Sequence, residues 1–160
     1  MRKRSSYRPR PVLTDPLLLL KPAPKVDRDA LMLRFLTALQ AMSSGSHPGV
    51  EEWRDLSDAV NTVETLAVTI GKLVPGEVMP TVNAAIAAMV AASVRFKAGD
   101  GMRLDGPGLQ ALRDVLGIYA HCLETLTGRE MAVACAETSR RVQALMRRRS
   151  ADPTALVVEL

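Results

Sequence analysis

The chain has 160 residues, 48% of them apolar and 24% charged, with a net charge of +4. That balance excludes a wholly disordered polymer and suits one globular domain with a tail. Two cysteines, Cys122 and Cys135, are too few for a disulfide framework.

Charge is sorted by position. Residues 1–25 carry seven Lys/Arg against Asp15 alone, residues 26–139 carry nine against fourteen Asp/Glu, and residues 140–149 add five arginines and no acid. A mildly acidic body thus has a basic arm at one end and a basic cluster near the other, and such extremities seek polyanions or acidic protein surfaces. The apolar side chains are mostly Ala, Leu, Val and Met, and the aromatics are only Tyr7, Phe35, Trp53, Phe96 and Tyr119. This mixture favours close-packed helices over sheets.

Residues 1–25 hold Pro9, Pro11, Pro16, Pro22 and Pro24, which forbid a continuous helix and predict an extended, mobile arm. Four leucines at 17–20 form a sticky patch that should dock on the body or on a partner. A first helix is expected over 27–42, with Leu31, Phe35, Leu39 and Met42 on one face. A second begins near Pro48. Its stripe of Trp53, Leu56, Val60, Val63, Ala67, Ile70 and Val74 has an unbroken 3-4 spacing, and Pro75-Gly76 should stop it.

A third helix is expected over 77–97. Val82, Ile86, Met89, Ser93 and Phe96 form its stripe, and the alanines around them suggest a central position. Its charge-free run over 78–94 is too alanine-rich and polar for a membrane span. Asp105-Gly106-Pro107 opens a fourth helix, striped by Leu109, Leu112, Leu116, Tyr119, Leu123 and Leu126. Thr127-Gly128-Arg129-Glu130 has the S/T-x-x-E pattern that caps a new start. This predicts a fifth helix to about Arg149, with Met131, Ala134, Thr138, Val142 and Leu145 inward, although one long bent helix over 107–149 is the alternative. The expected architecture is an all-α five-helix bundle, with a basic arm over 1–25, a bundle over 26–149 and a tail over 150–160.

Few residues point to chemistry. His121-Cys122 and Cys135 are the only ligand types near one another, and adjacent helical residues diverge by about 100°. No G-x-S-x-G elbow, phosphate-cradling glycine loop or dinucleotide fingerprint occurs. The expectation is therefore no enzyme, no catalytic residue, no metal and no cofactor. The arm says more: Arg2, Lys3, Arg4, Tyr7, Arg8 and Arg10 join cations to a stackable ring, and each cation that meets a phosphate releases counterions. The segment resembles AT-hook arms, but Pro9 stands where their central glycine belongs. Arg140, Arg141, Arg147, Arg148 and Arg149 form the second cluster, which also suits the negative end of a helix.

Ala132, Ala136, Val142 and Leu145 sit at the A-x3-[GA]-x5-[VIL]-x2-[VIL] spacing, which resembles the Fis-type DNA-binding helix pair. The basic start ending in Tyr7-Arg8-Pro9-Arg10-Pro11, the following Asp15-Pro16, and Trp53-Arg54-Asp55-Leu56-Ser57-Asp58-Ala59 resemble small proteins of proteobacterial prophages and plasmids, some labelled Fis-type regulators. That resemblance implies no particular binding residue. The reading is a non-enzymatic, cytoplasmic protein that meets nucleic-acid phosphates, with no membrane partner and scope for a homo-oligomer. Its alternative is a mobile-element protein that binds and modulates a host protein through an acidic surface.

Overall fold

A computed structural model describes residues 18–44 and 48–151, with side chains described to residue 148. A 3-10 turn at Leu18–Leu20 precedes α1 (Lys25–Ser44), α2 (Val50–Val68), α3 (Pro75–Lys97), α4 (Gly106–Thr125) and α5 (Gly128–Ala151). No strand occurs among the described residues, and the fold is an all-α helical bundle.

Local chemistry sets the helix limits. The Gly49 N–H donates to Glu52 Oε2 at 2.8 Å at the start of α2, where Glu51 and Glu52 also favour the positive helix end. Asp105 Oδ1 accepts the Gly108 N–H at 2.8 Å to cap α4. One boundary differs from the periodic reading: α2 ends at Val68, about two turns before Pro75. The Ile70 and Lys72 amides close back on the Thr65 and Leu66 carbonyls, and Gly71 adopts φ +70°, which turns the chain where side-chained residues rarely go. Ile70 still packs on the core from the turn. Pro75 and Gly76 open α3, because a first-turn proline forgoes only an amide that has no helical partner.

Helices α4 and α5 are separate. Leu126 is extended, the Thr127 N–H donates to Glu130 Oε2 at 2.9 Å, and the Glu130 N–H donates to Thr127 Oγ1 at 3.2 Å. Lys72 Nζ reaches the other Glu130 oxygen at 2.5 Å and ties the α2–α3 turn to this start. The Lys72 bond first, then the Thr127 amide and hydroxyl, hold the Glu130 carboxyl down at about 2 against an ordinary 4.5. A depressed carboxylate stabilises the fold above its unfolded value and loses that contribution as pH falls through its folded value. The Tm of Glu130→Gln is therefore expected to lie below that of the parent at pH 7, with the gap closing between about pH 4.5 and pH 2. Thermal melts across that range test this.

The core is organised around α2 and α4. Each packs against the other and against α1, α3 and α5, whereas α1, α3 and α5 do not touch one another among the described residues. The alanine-rich α3 is therefore peripheral rather than central. It uses one face, Val78, Val82, Ala85, Met89, Ala92 and Ser93, against α2 and α4, and Phe96 from its expected stripe is exposed. Small side chains permit close approach without demanding neighbours. The 3-4 rows of larger residues on α2 and α4 are what must be covered, and Leu56, Val63, Leu66, Leu112, Val115 and Leu116 are almost wholly buried. By length and composition α3 alone among the described helices could cross a membrane, yet its core face lies within the bundle.

Candidate nucleic-acid interface

Helix α5 carries the second basic cluster. It runs antiparallel to α2, with Glu130 beside Lys72, Thr138 beside Thr65 and Arg141 beside Glu64. Met131, Ala134 and Thr138 enter the core, Val142 is half-buried, and Leu145 is exposed although the periodicity places it inward. From Thr138 onward α5 presents ever more of its surface to solvent.

The five C-terminal arginines divide into two groups. Arg141 Nη1 donates to Thr65 Oγ1 at 2.8 Å, and its Nη2 lies 3.3 Å from Glu64 Oε2. Thr65 itself is fully buried and accepts from Thr138 Oγ1 at 3.0 Å, while its own hydroxyl bonds the Asn61 carbonyl. Arg141 is thus part of the α2–α5 seam, where Glu64, one helix away, already meets its charge. Arg140 holds Glu137 with two bonds, at 2.8 and 2.5 Å. Its hydrogen bonds keep the Glu137 carboxyl below the ordinary range. Arg140 stays exposed, but its charge is already answered one turn back on the same helix. Arg147 and Arg148 are exposed and form no ion pair with any described residue. The Arg149 side chain, and Arg2, Lys3, Arg4, Tyr7, Arg8 and Arg10, lie outside the described residues.

Helical geometry adds a cation that the charge runs do not reveal. Arg129 is exposed at the start of α5 and precedes Arg140 and Arg147 by 11 and 18 residues, close to three and five whole turns. The three therefore share one outward line about 27 Å long. The i, i+11, i+18 spacing is visible in the sequence, but the single arginine in the capping loop does not stand out as a cluster.

The arm's root is anchored beside this line. The Gly128 N–H donates to the Lys21 carbonyl at 2.8 Å, and the 3-10 turn at Leu18–Leu20 lies on α5. The turn thus lies on the body, but Leu19 and Leu20 both remain exposed and Leu17 lies outside the described residues; α1 follows from Lys25. The A-x3-A-x5-V-x2-L spacing lies within unbroken α5, so no helix-turn-helix forms there, and Ala132 and Ala136 face solvent.

Other reactive groups do not converge. Among the described residues no three of His, Cys, Asp and Glu gather as metal ligands. Cys122 is buried, and burial pushes its thiol up. Tyr119 is buried edge-on against Phe35, with ring centroids 5.2 Å apart, and desolvation raises its hydroxyl. An open groove of about 360 Å³ between α1 and α2 is lined by Leu33, Thr37, Arg34, Glu52 and Asp55. Its charged groups are engaged, Arg34 with Asp55 and Glu52 with the Gly49 amide. No family model, curated protein or solved structure matches this chain.

Proposed function

We propose that this protein is a non-enzymatic, nucleic-acid-associated helical protein that binds phosphates through its basic arm and the outward face of α5. The observation that carries this reading is the Gly128–Lys21 bond, which joins the chain bearing Arg2, Lys3, Arg4, Arg8 and Arg10 to the helix bearing Arg129, Arg147 and Arg148. The arm's root thus meets the start of the helix whose far end, about 27 Å along from Arg129, carries the second cluster. Unpaired guanidinium groups on an exposed face release counterions when they meet phosphates, so affinity must fall steeply with salt. Such contacts position a protein on a backbone without reading bases, which matches a site rich in arginine and poor in Asn or Gln. The reading implies a cytoplasmic location.

The test is fluorescence anisotropy of labelled duplex DNA titrated at several salt concentrations. Binding should weaken linearly in log–log form, and deletion of residues 2–10 should flatten the slope by about 0.9 for each phosphate that the arm no longer neutralises. Binding that is indifferent to salt, or to that deletion, would overturn the reading.

A second reading rests on Leu145 and Met146, both more than two-fifths exposed among the arginines of α5. A basic helix end with apolar side chains also suits an acidic protein groove, such as that of a host protein modulated by a mobile element. A stoichiometric complex that survives nuclease treatment would favour it.

A further inference from the structure

Among the described residues nothing covers the outward face of α3, which is apolar apart from Asn83. Opposite its core face run Pro80, Ala84, Ala87, Ala91 and Val94, at 4-3-4-3 spacing, and all but half-buried Ala91 are exposed. No charged residue occurs over 78–94, whereas the solvent side of a globular helix ordinarily carries charge.

The two ends of this face are oppositely charged. Glu77 stands in the first turn and Arg95 in the last, 18 residues or five whole turns apart, so both lie on one edge of the helix. Arg95 donates to the Arg103 carbonyl, a neutral partner that leaves its positive charge in place. A two-fold axis perpendicular to α3 near Ala87 would set Glu77 of each copy opposite Arg95 of the other and Pro80 opposite Val94, with Ala87 meeting itself. A face complementary to itself in this way is what an isologous pair requires.

We infer that a second copy of this chain covers the outward face of α3, in an antiparallel pairing centred on Ala87. The alanines allow the axes to approach to the short end of the usual range, about 8 Å. Close packing of small side chains, rather than a large apolar area, then supplies the contact. A helix about 33 Å long and 10 Å wide covers roughly 300 Å² per copy, below the area of a permanent dimer. The association is therefore weak and concentration-dependent. It uses none of the arginines of α5, and pairing would double the number of basic arms presented to one polyanion.

Sedimentation equilibrium of the full chain from about 5 to about 500 μM, a range suited to a weak self-association, tests this. A monomer–dimer equilibrium is expected. Ala87→Glu, a change at a solvent-facing position, should abolish it with the far-UV circular dichroism and Tm unchanged. Glu77→Arg should weaken it about tenfold by setting like charges together, and Glu77→Arg combined with Arg95→Glu should restore it. Any of three results overturns the inference: a parent chain that stays monomeric throughout, a dimer indifferent to Ala87→Glu and to the charge exchange, or flotation with phosphatidylcholine vesicles, which would make this face lipid-directed. DNA binding is not part of the measurement, so failure here leaves the proposed function standing.

Discussion

Replacing Arg147 and Arg148 by glutamine is expected to weaken duplex binding with no change in stability, whereas Arg141→Gln should do the reverse. Arg147 and Arg148 are exposed on the last turns of α5 and have no carboxylate among the described residues. Removing two phosphate-binding cations should flatten the slope of log affinity against log salt by about 1.8, which is roughly tenfold in affinity over a fourfold change in salt. Arg141 bonds buried Thr65 and pairs with Glu64, and it is only about one-quarter exposed. Its loss leaves Thr65 Oγ1 with one fewer donor and Glu64 unpaired, at a cost of about 1–2 kcal/mol. Anisotropy and urea denaturation on the same two variants separate the roles. If Arg141→Gln were the variant that lost binding, the assignment of the cluster would be inverted.

Two glycines of α4 should respond with opposite signs to the same change. Gly117 sits in the exposed middle of the helix, and a Cβ there would meet nothing within 4 Å. Gly117→Ala should therefore stabilise by about 1 kcal/mol through helix propensity alone. At Gly108 the added Cβ would fall 2.7 Å from Ala88 Cβ on α3 and 2.7 Å from Asp105 Oδ1. The first contact would push apart two packed helices. The second would disturb the carboxylate that caps α4. Gly108→Ala should cost about 1–3 kcal/mol by overpacking, despite the better propensity of alanine. Thermal or urea midpoints of the two variants, moving to opposite sides of the parent, are the expected result.

Much of the helical framework is legible in the chain because its signals are local. The Thr127–Glu130 box, the Asp105 cap and the long 3-4 rows of α2 and α4 each depend on residues within a few turns, and those rows belong to the two helices that organise the core. Gly71 is a turn signal within the α2 row, and its left-handed conformation ends that helix while the apolar spacing continues to Val74. Gly108 reads locally as turn chemistry, since Ala88, which makes its lack of a side chain necessary, lies twenty residues away.

The site was less visible for the same reason. A run of arginines states where positive charge lies along the chain, but whether a guanidinium is available depends on carboxylates that folding brings near. Glu137, three residues from Arg140, lies within local reach of a sequence reading, while Glu64 and Thr65, more than seventy residues before Arg141, do not. The sequence by itself determined that this protein is helical, where most of its helices begin, and that positive charge gathers toward its ends. Only the tertiary structure decided that α2 and α4 form the centre, that Arg141 braces the α2–α5 seam, and that the arm's root meets the start of α5. Periodicity specifies which face of a helix must be covered; the identity of what covers it is a contact between distant residues, and only packing in three dimensions creates that.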